Sequence, residues 1–271
     1  MERVLYDTVI LSDLHLGSEV ARAAEALSAL QAMTFSRLIL LGDIFCDLNF
    51  RRLTKDHWRF LSYIRKLSNP KRGVEVVWVE GNHDHGLAQL MSHLVGVPVF
   101  KEYRWEHAGE KLLAIHGHQF DAFVSKNRFG IANVFGGPLF LLLQKLDGKT
   151  KPLSRFVDRL NTRWLRLTTK VANGAMAHAR WRGATRVFCG HTHEAGSAER
   201  NGIHYYNTGC WTTERPTYIT ISEREITIHE YVDGVDHCHT SQERRKAASA
   251  TAGIAGEPGL SEDGGYEGAY C

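Results

Sequence analysis

Five short apolar runs in this chain each break off into a polar turn carrying Asp, Asn or His, and that repetition is what most limits its fold. Residues 8–11 lead into Ser12-Asp13-Leu14-His15, 38–41 into Gly42-Asp43, and 74–79 into Gly81-Asn82-His83-Asp84. Residues 112–115 lead into His116-Gly117-His118, and 187–189 into Gly190-His191-Thr192-His193. Brief runs of branched and aliphatic residues bounded by Gly-containing turns read as buried strands. In open α/β sheets, ligands gather outside the carboxyl ends of the strands, so five such turns can converge on one site. A Gly beside each ligand permits the tight turn that this needs.

Between the first three runs, residues 18–33 and 54–67 show helical spacing, with Trp58, Leu61, Ile64 and Leu67 on one face of the second. Strand, helix, strand in that order is the βαβ pattern of a sheet covered by helices. Further strands are expected at 111–115, 186–189, 203–207, 216–221 and 226–231. The expected fold is therefore an α/β sandwich of mixed strand direction, occupying residues 1–240.

Residues 120–183 interrupt this rhythm with a mostly helical stretch. It holds twelve Lys or Arg against three Asp, an excess of +9, while the whole chain carries only +3 and the remainder therefore −6. Phe156, Leu160, Trp164 and Leu167 share a helical face, with Arg155, Arg159, Arg163 and Arg166 beside it. This reads as an inserted basic, amphipathic cap, suited to an amphiphile with a phosphorylated head. No recognised nucleic-acid motif accompanies the charge, and no nucleic-acid partner is expected. The apolar tract 131–143 is broken by Asn133 and Gly136-Gly137-Pro138 and falls short of the roughly 20 residues that cross a bilayer. Residues 241–271 lose all apolar periodicity and read as a disordered tail.

The five Cys form no C-x-x-C pair and are odd in number, against a disulfide framework or a thiolate zinc site. Cys46, Cys189 and Cys210 read as small buried filler. No secretory leader pattern appears in residues 1–12, and a reducing, cytoplasmic setting is expected. Asp236-His237-Cys238-His239 has the composition of a metal site but reads as an incidental solvated cluster. The 15 His are the unusual entry in the composition, because imidazole is the commonest metal ligand.

Asp, Asn and His offer oxygen and nitrogen without thiolate, which suits hydrated divalent ions better than structural zinc. Asp13-x-His15 and His191-x-His193 can each send their members to neighbouring ions. Two ions about 3.5–4 Å apart hold a bridging hydroxide and clamp a phosphoryl group during in-line displacement.

The five blocks, in type, order and approximate spacing, resemble the signature of the calcineurin-like metallophosphoesterases over about residues 5–232. The resemblance implies a four-layer α/β/β/α sandwich of mixed sheets, here with a helical cap insertion, and a dinuclear metal phosphohydrolase. It implies that Asp13, His15, Asp43 and His193 bind one metal, and that Asp43 bridges to a second completed by Asn82, His116 and His191. It assigns His83 to the substrate phosphate and leaving-group oxygen, as electrostatic stabiliser and proton donor, with Asp84 orienting it. Asn82, His118, Arg155 and Arg159 are further candidates for substrate contact.

Within the superfamily, the cap between His116 and Gly190 and the string His116-Gly-His-Gln-Phe-Asp121 look most like the UDP-2,3-diacylglucosamine pyrophosphatase branch. That branch implies a lipid-linked or nucleotide-linked pyrophosphate substrate, two Mn²⁺ ions with Fe or Zn as alternatives, and peripheral contact with the inner membrane surface. The enterobacterial form reads G-N-R-D and H-G-D where this chain has Gly81-Asn82-His83-Asp84 and His116-Gly117-His118. Both differences move towards the general phosphoesterase pattern, so the reaction class is drawn more closely than the substrate. A phosphomonoesterase or phosphodiesterase acting on a soluble nucleotide or phosphoprotein, and a non-catalytic scaffold on the same fold, are the competing readings.

Overall fold

The computed structural model describes residues 5–121 and 168–239, apart from 48, 87–91, 94–95, 224 and 233. The basic stretch with Arg155 and Arg159, the apolar tract 131–143 and the tail lie outside the described residues.

The apolar runs form strands whose faces alternate between two cores. β1 (Leu5–Leu11), β2 (Thr34–Leu41) and β3 (Glu75–Val79) are parallel neighbours, with Ile10 opposite Ile39 and Ile39 opposite Val77. β4 (Val99–Phe100) extends this sheet beyond β3. On the other side, β10 (Thr217–Ser222), β11 (Glu225–Val232) and β12 (Val235–His239) add in antiparallel order, making seven strands. A second, five-stranded sheet runs β5 (Tyr103–His107), β6 (Glu110–Ala114), β7 (Arg186–Cys189), β9 (Ile203–Asn207), β8 (Gly196–Arg200). In it β6, β7 and β9 are parallel.

Among the described residues, three α-helices cover the outer faces. Val9, Leu11, Leu38, Leu40 and Trp78 meet α1 (Ala23–Ala32) and α2 (Lys55–Leu67) on one side of the first sheet. Ile10, Ile39, Leu41, Val77 and Val79 meet Trp105, Leu112, Ala114 and Phe188 of the second sheet. On that sheet's far side Leu113, Ile115 and Val187 pack on Ala172, Ala175, Met176 and Ala179 of α3 (Thr168–Trp181). Helix, sheet, sheet and helix with three intervening cores is the four-layer sandwich of mixed sheets that the motif order implied.

Local differences from the sequence expectation have identifiable causes. The buried stripe of α2 is His57, Phe60, Leu61 and Ile64, while Trp58 is 51% exposed, so the helix is rotated from the face expected of its apolar residues. His57 causes the rotation: its Nδ1 accepts from Thr54 N at 3.1 Å in a capping box and from Gly17 N at 3.2 Å, which ties the helix to the loop after β1. β5 and β8 were not expected, because YRWEH and GSAER contain no apolar run and lie at the sheet edges. The string containing Asp236 and His237 is the edge strand β12, paired with β11, and Asp236 engages the buried His229 at 3.0 Å.

Burial lowers the His57 pKa below its ordinary 6.5, with Arg52 adding to the effect and Asp56 opposing it. Its contribution to stability is therefore complete above pH 6.5 and is lost as pH falls through the depressed value. Replacing His57 with Phe is expected to leave two backbone donors unsatisfied, at about 1–3 kcal/mol each. Urea unfolding of wild type and variant between pH 5 and about 8 checks this, since the stability difference between them should shrink towards acid.

Candidate metal centre

The carboxyl ends of β1, β2 and β3 lie beside those of β6 and β7, and their five turns meet there. The first two turns are zipped together by backbone hydrogen bonds: Asp13 N to Gly42 O at 3.0 Å, His15 N to Asp43 O at 3.0 Å and Leu16 N to Ile44 O at 2.7 Å. His116 O accepts from Gly190 N at 3.1 Å, joining the turns after β6 and β7. Between the sheets, Asp13 Oδ2 accepts from His191 N at 2.9 Å.

Backbone conformation singles out the same residues. Asp13, His15, Asp43, His191 and His193 have φ between 50° and 66°, and they are five of the eight non-glycine residues with positive φ among those described. The other three, Ala108, Asn201 and Glu223, sit in turns joining antiparallel strands. Left-handed backbone is uncommon outside glycine and clusters at functional sites. Glycines supply the clearance: a Cβ at Gly81 would overlap Asp43, one at Gly42 would overlap the His116 ring, and one at Gly190 would overlap Asp13 and Ser12.

Three groups of lone-pair atoms result, the third being His15, Asp43 and His83. In the first, His193 Nε2 lies 3.0 Å from Asp13 Oδ1 and 3.1 Å from His15 Nε2, with His15 Nε2 3.7 Å from Asp13 Oδ1. In the second, Asp43, His116 and His191 bring one ligand atom each within 4.8 Å of one another. His116 Nε2 is 3.7 Å from Asp43 Oδ2 and 3.5 Å from Asp13 Oδ1, so the groups adjoin. His83 also approaches Asp43 Oδ2, at 4.0 Å.

Divalent cations fit this arrangement. Asp13 Oδ1, Asn82 Oδ1 and His116 Nε2 are buried atoms that have no hydrogen-bond partner among the described residues. Buried polar atoms are otherwise satisfied almost without exception, and two of these three, Asp13 Oδ1 and His116 Nε2, lie 3.5 Å apart, as ligand atoms around a cation would. The donor set, carboxylate oxygen, amide oxygen and imidazole with no thiolate among the grouped atoms, suits a divalent ion.

The ionisation pattern agrees. Burial opposes the charge on Asp13, but His193, His116 and His15 outweigh it and hold the carboxyl well below its ordinary range. Asp43 is likewise lowered against its burial, by His116, His83 and His15. Conversely, His15 and His116 are raised despite burial, His15 by Asp13, Cys46 and Asp43, and His116 by Asp43 and Asp13.

Three contacts differ from, or add to, what the motifs suggested. Asp84 does not touch the His83 ring: its carboxylate accepts from Ile44 N at 3.1 Å and Phe45 N at 2.9 Å, holding the turn that carries Asp43. Burial and Asp43 push the Asp84 carboxyl up to about 7, against these two donors. The His83 ring is set instead by Cys46 O, which accepts from its Nδ1 at 2.7 Å. His118 faces inward, with Nδ1 3.2 Å from His116 Nδ1, and burial together with His116 drops its pKa to about 3.

Two residues escaped notice in the sequence. The Asp121 carboxylate is fully buried and accepts from His191 Nε2 at 3.2 Å. Asn207, at the end of β9, donates to Gly190 O at 2.7 Å and Thr192 Oγ1 at 3.0 Å, fixing the turn that carries His191 and His193. Asp121 stands at the end of a block that had already been marked, whereas Asn207 carried no signal beyond its place at a strand end. Arg155 and Arg159 lie outside the described residues.

The model of the family described as calcineurin-like phosphoesterase matches residues 7–195. The chain belongs to that family. No curated protein matches it in sequence. Similar solved structures include Vps29 complexed with Zn²⁺ from Entamoeba histolytica, at 16% identity over 86% of this chain and 96% of that one, TM-score 0.47. A novel archaeal phosphodiesterase is 14% identical over 82% and 98%, TM-score 0.43, and the phosphoesterase YfcE from E. coli 14% over 87% and 93%, TM-score 0.40. Membership of the calcineurin-like family brings with it divalent metal ions, for which the Asp and His groups above are the candidates. No helix among the described residues is long and apolar enough to cross a membrane.

Because Asp13 and Asp43 raise the pKa of both His15 and His116, protons compete there with an incoming cation, and metal binding is expected to release protons and to weaken as pH falls. Calorimetric titration of Mn²⁺ into the chain in two buffers of different ionisation enthalpy measures that release; an identical heat in both would contradict the assignment.

Proposed function

We propose that this member of the calcineurin-like family is a two-metal phosphohydrolase that cleaves a phosphoester or phosphoanhydride bond. The observation that carries the reading is the pair of adjoining ligand groups, one of Asp13, His15 and His193 and the other of Asp43, His116 and His191. Asn82, whose Oδ1 is buried without a hydrogen-bond partner among the described residues, would complete the second group, and Asp43 would bridge the two. Divalent ions held there would polarise the phosphoryl oxygens and make water a nucleophile near neutral pH.

The chain's own groups would do the rest. The two carboxylates and four imidazoles would fix the ions and so the phosphoryl group. His83 is held through Nδ1 by Cys46 O, and its Nε2, 4.0 Å from Asp43 Oδ2, would meet the leaving oxygen and deliver a proton. Partial burial lowers the His83 pKa, and His15 adds to this against Asp43; the negative charge of a bound phosphate would raise it again. His118, which packs on His116, would act on substrate only through that ring.

For substrate, we favour a lipid-linked or nucleotide-linked pyrophosphate such as UDP-2,3-diacylglucosamine, with Mn²⁺ as the working ion. Supporting this is the basic, amphipathic stretch that precedes α3 within residues 120–183, where Arg155 and Arg159 would meet phosphate and the apolar face an acyl chain; α3 itself packs on the second sheet as part of the sandwich. The same insertion would bring the protein to an anionic membrane surface.

Replacing Asp43 or His116 with Ala is expected to remove bound metal and activity together. His83→Ala should keep the metal and slow turnover by roughly 10²–10⁴-fold, the usual size of lost proton transfer. Hydrolysis of nitrophenyl phosphoesters and of a nucleoside diphosphate-sugar, with metal content measured on the same samples, checks both. A chain that holds metal yet turns over no monoester, diester or pyrophosphate would be a scaffold on this fold. Charge reversal at Arg155 and Arg159 should raise KM for a lipid-linked pyrophosphate and leave a small diester unaffected.

A further inference from the structure

Both imidazoles of the second ligand group are held from behind by one short turn, residues 117–121. From this turn His118 reaches His116, Nδ1 to Nδ1 at 3.2 Å, and Asp121 reaches His191, Oδ2 to Nε2 at 3.2 Å. The turn itself is closed by Phe120 N to Gly117 O at 3.1 Å and Asp121 N to His118 O at 3.2 Å. Gly117 takes φ 109°, and a Cβ there would come within 3.2 Å of Val171 on α3, so the turn is wedged against the helix behind it.

Each contact decides which ring nitrogen carries a proton. A carboxylate only accepts, so Asp121 keeps hydrogen on His191 Nε2 and leaves the lone pair on Nδ1, the atom free to meet Asp43 and His116. For His116, Nε2 is the atom directed at Asp43 and Asp13 without a hydrogen-bond partner, so its hydrogen belongs on Nδ1 and is donated to His118. The first group is held by other elements: Asp13 Oδ2 accepts from Ser12 Oγ at 2.5 Å and from His191 N, and its three members come from the turns after β1 and β7.

We propose that Asp121, with His118, is a positioning residue that selectively sets the affinity of the second metal position, so that the 117–121 turn controls whether the chain holds one ion or two. The inference rests on the two-metal reading above. Removing the Asp121 carboxylate frees the His191 ring to rotate and to place hydrogen on either nitrogen, and it leaves the first group's side chains untouched. Outer partners of metal-bound imidazole typically govern affinity by 10–100-fold.

The test is Mn²⁺ titration of the full chain by equilibrium dialysis, with electron paramagnetic resonance on the same samples. Wild type should take up two ions per chain and show the signal of a spin-coupled pair. Asp121→Ala should bind one ion with wild-type affinity and the other about 10–100-fold more weakly, so that the coupled signal gives way to that of an isolated ion. Asp121→Asn, which retains an acceptor oxygen, should recover most of the lost affinity, and His118→Ala should weaken the same ion. Asp121→Ala with two ions at wild-type affinity, or equal weakening of both ions in Asp121→Ala and Asp121→Asn alike, would overturn the inference alone. A wild-type chain that takes up no second ion would overturn the two-metal reading and the inference with it.

Discussion

Everything at the centre of this protein follows from crowding lone pairs where water cannot reach them. Asp13, Asp43, His116 and His191 are buried, and His15 and His193 nearly so, with contacts of 3.0–3.7 Å among their polar atoms. Such a cluster is unfavourable on its own, since a buried charge or unsatisfied acceptor costs several kcal/mol on the order of what a whole domain has to spare. The backbone adds to the cost: left-handed φ at five of these residues is of order 1–2 kcal/mol each. Strain of this size persists only where the surroundings over-determine it. Here the zipped turns after β1 and β2, the glycine clearances at Gly42, Gly81 and Gly190, and the Asp84 carboxylate on Ile44 N and Phe45 N do so.

The same crowding explains why the fold has two sheets. Two of the ligand groups cross the boundary between them: Asp13 and His15 come from the first sheet and His193 from the second, and Asp43 from the first with His116 and His191 from the second. Packing of Ile10, Ile39, Leu41, Val77 and Val79 against Leu112, Ala114 and Phe188 therefore sets the spacing of the ligands as well as the stability of the domain. Core interiors are close-packed and deform little, which is what a site with sub-ångström tolerances needs from its scaffold.

Much of this could be read from the residues alone, and the reason is that ligand type and strand end coincide. A strand buried on both faces must be a continuous apolar run, so the runs ending at Leu11, Leu41, Val79, Ile115 and Cys189 were visible, and so were the Asp and His that follow them. Edge strands were not, because β5, β8 and β12 present one face to solvent and need no apolar run. The rotation of α2 was hidden because His57, a polar residue, occupies a buried position by accepting two backbone donors, leaving Trp58 outside. Asp121 and Asn207 were hidden for a related reason: their work is done on other side chains and on backbone, and such roles leave no spacing rule. The left-handed backbone was equally silent, since Asp and His tolerate it without advertising it.

Asp84 shows how these levels combine. Motif reasoning placed it behind His83, yet it grips the turn of β2 and leaves the ring to a carbonyl, Cys46 O. One turn then carries three elements of the site: Asp43 between the two ligand groups, the amides that Asp84 fixes, and the carbonyl that aims His83. Because Asp43 Oδ1 accepts from His83 N at 2.8 Å, the turns after β2 and β3 also hold each other directly. Displacing either would move Asp43 and His83, the proposed proton donor, together. The candidate ligand geometry and the proposed proton transfer therefore share one support, and a change that spares every candidate metal-binding side chain but loosens residues 43–46 should disturb both at once.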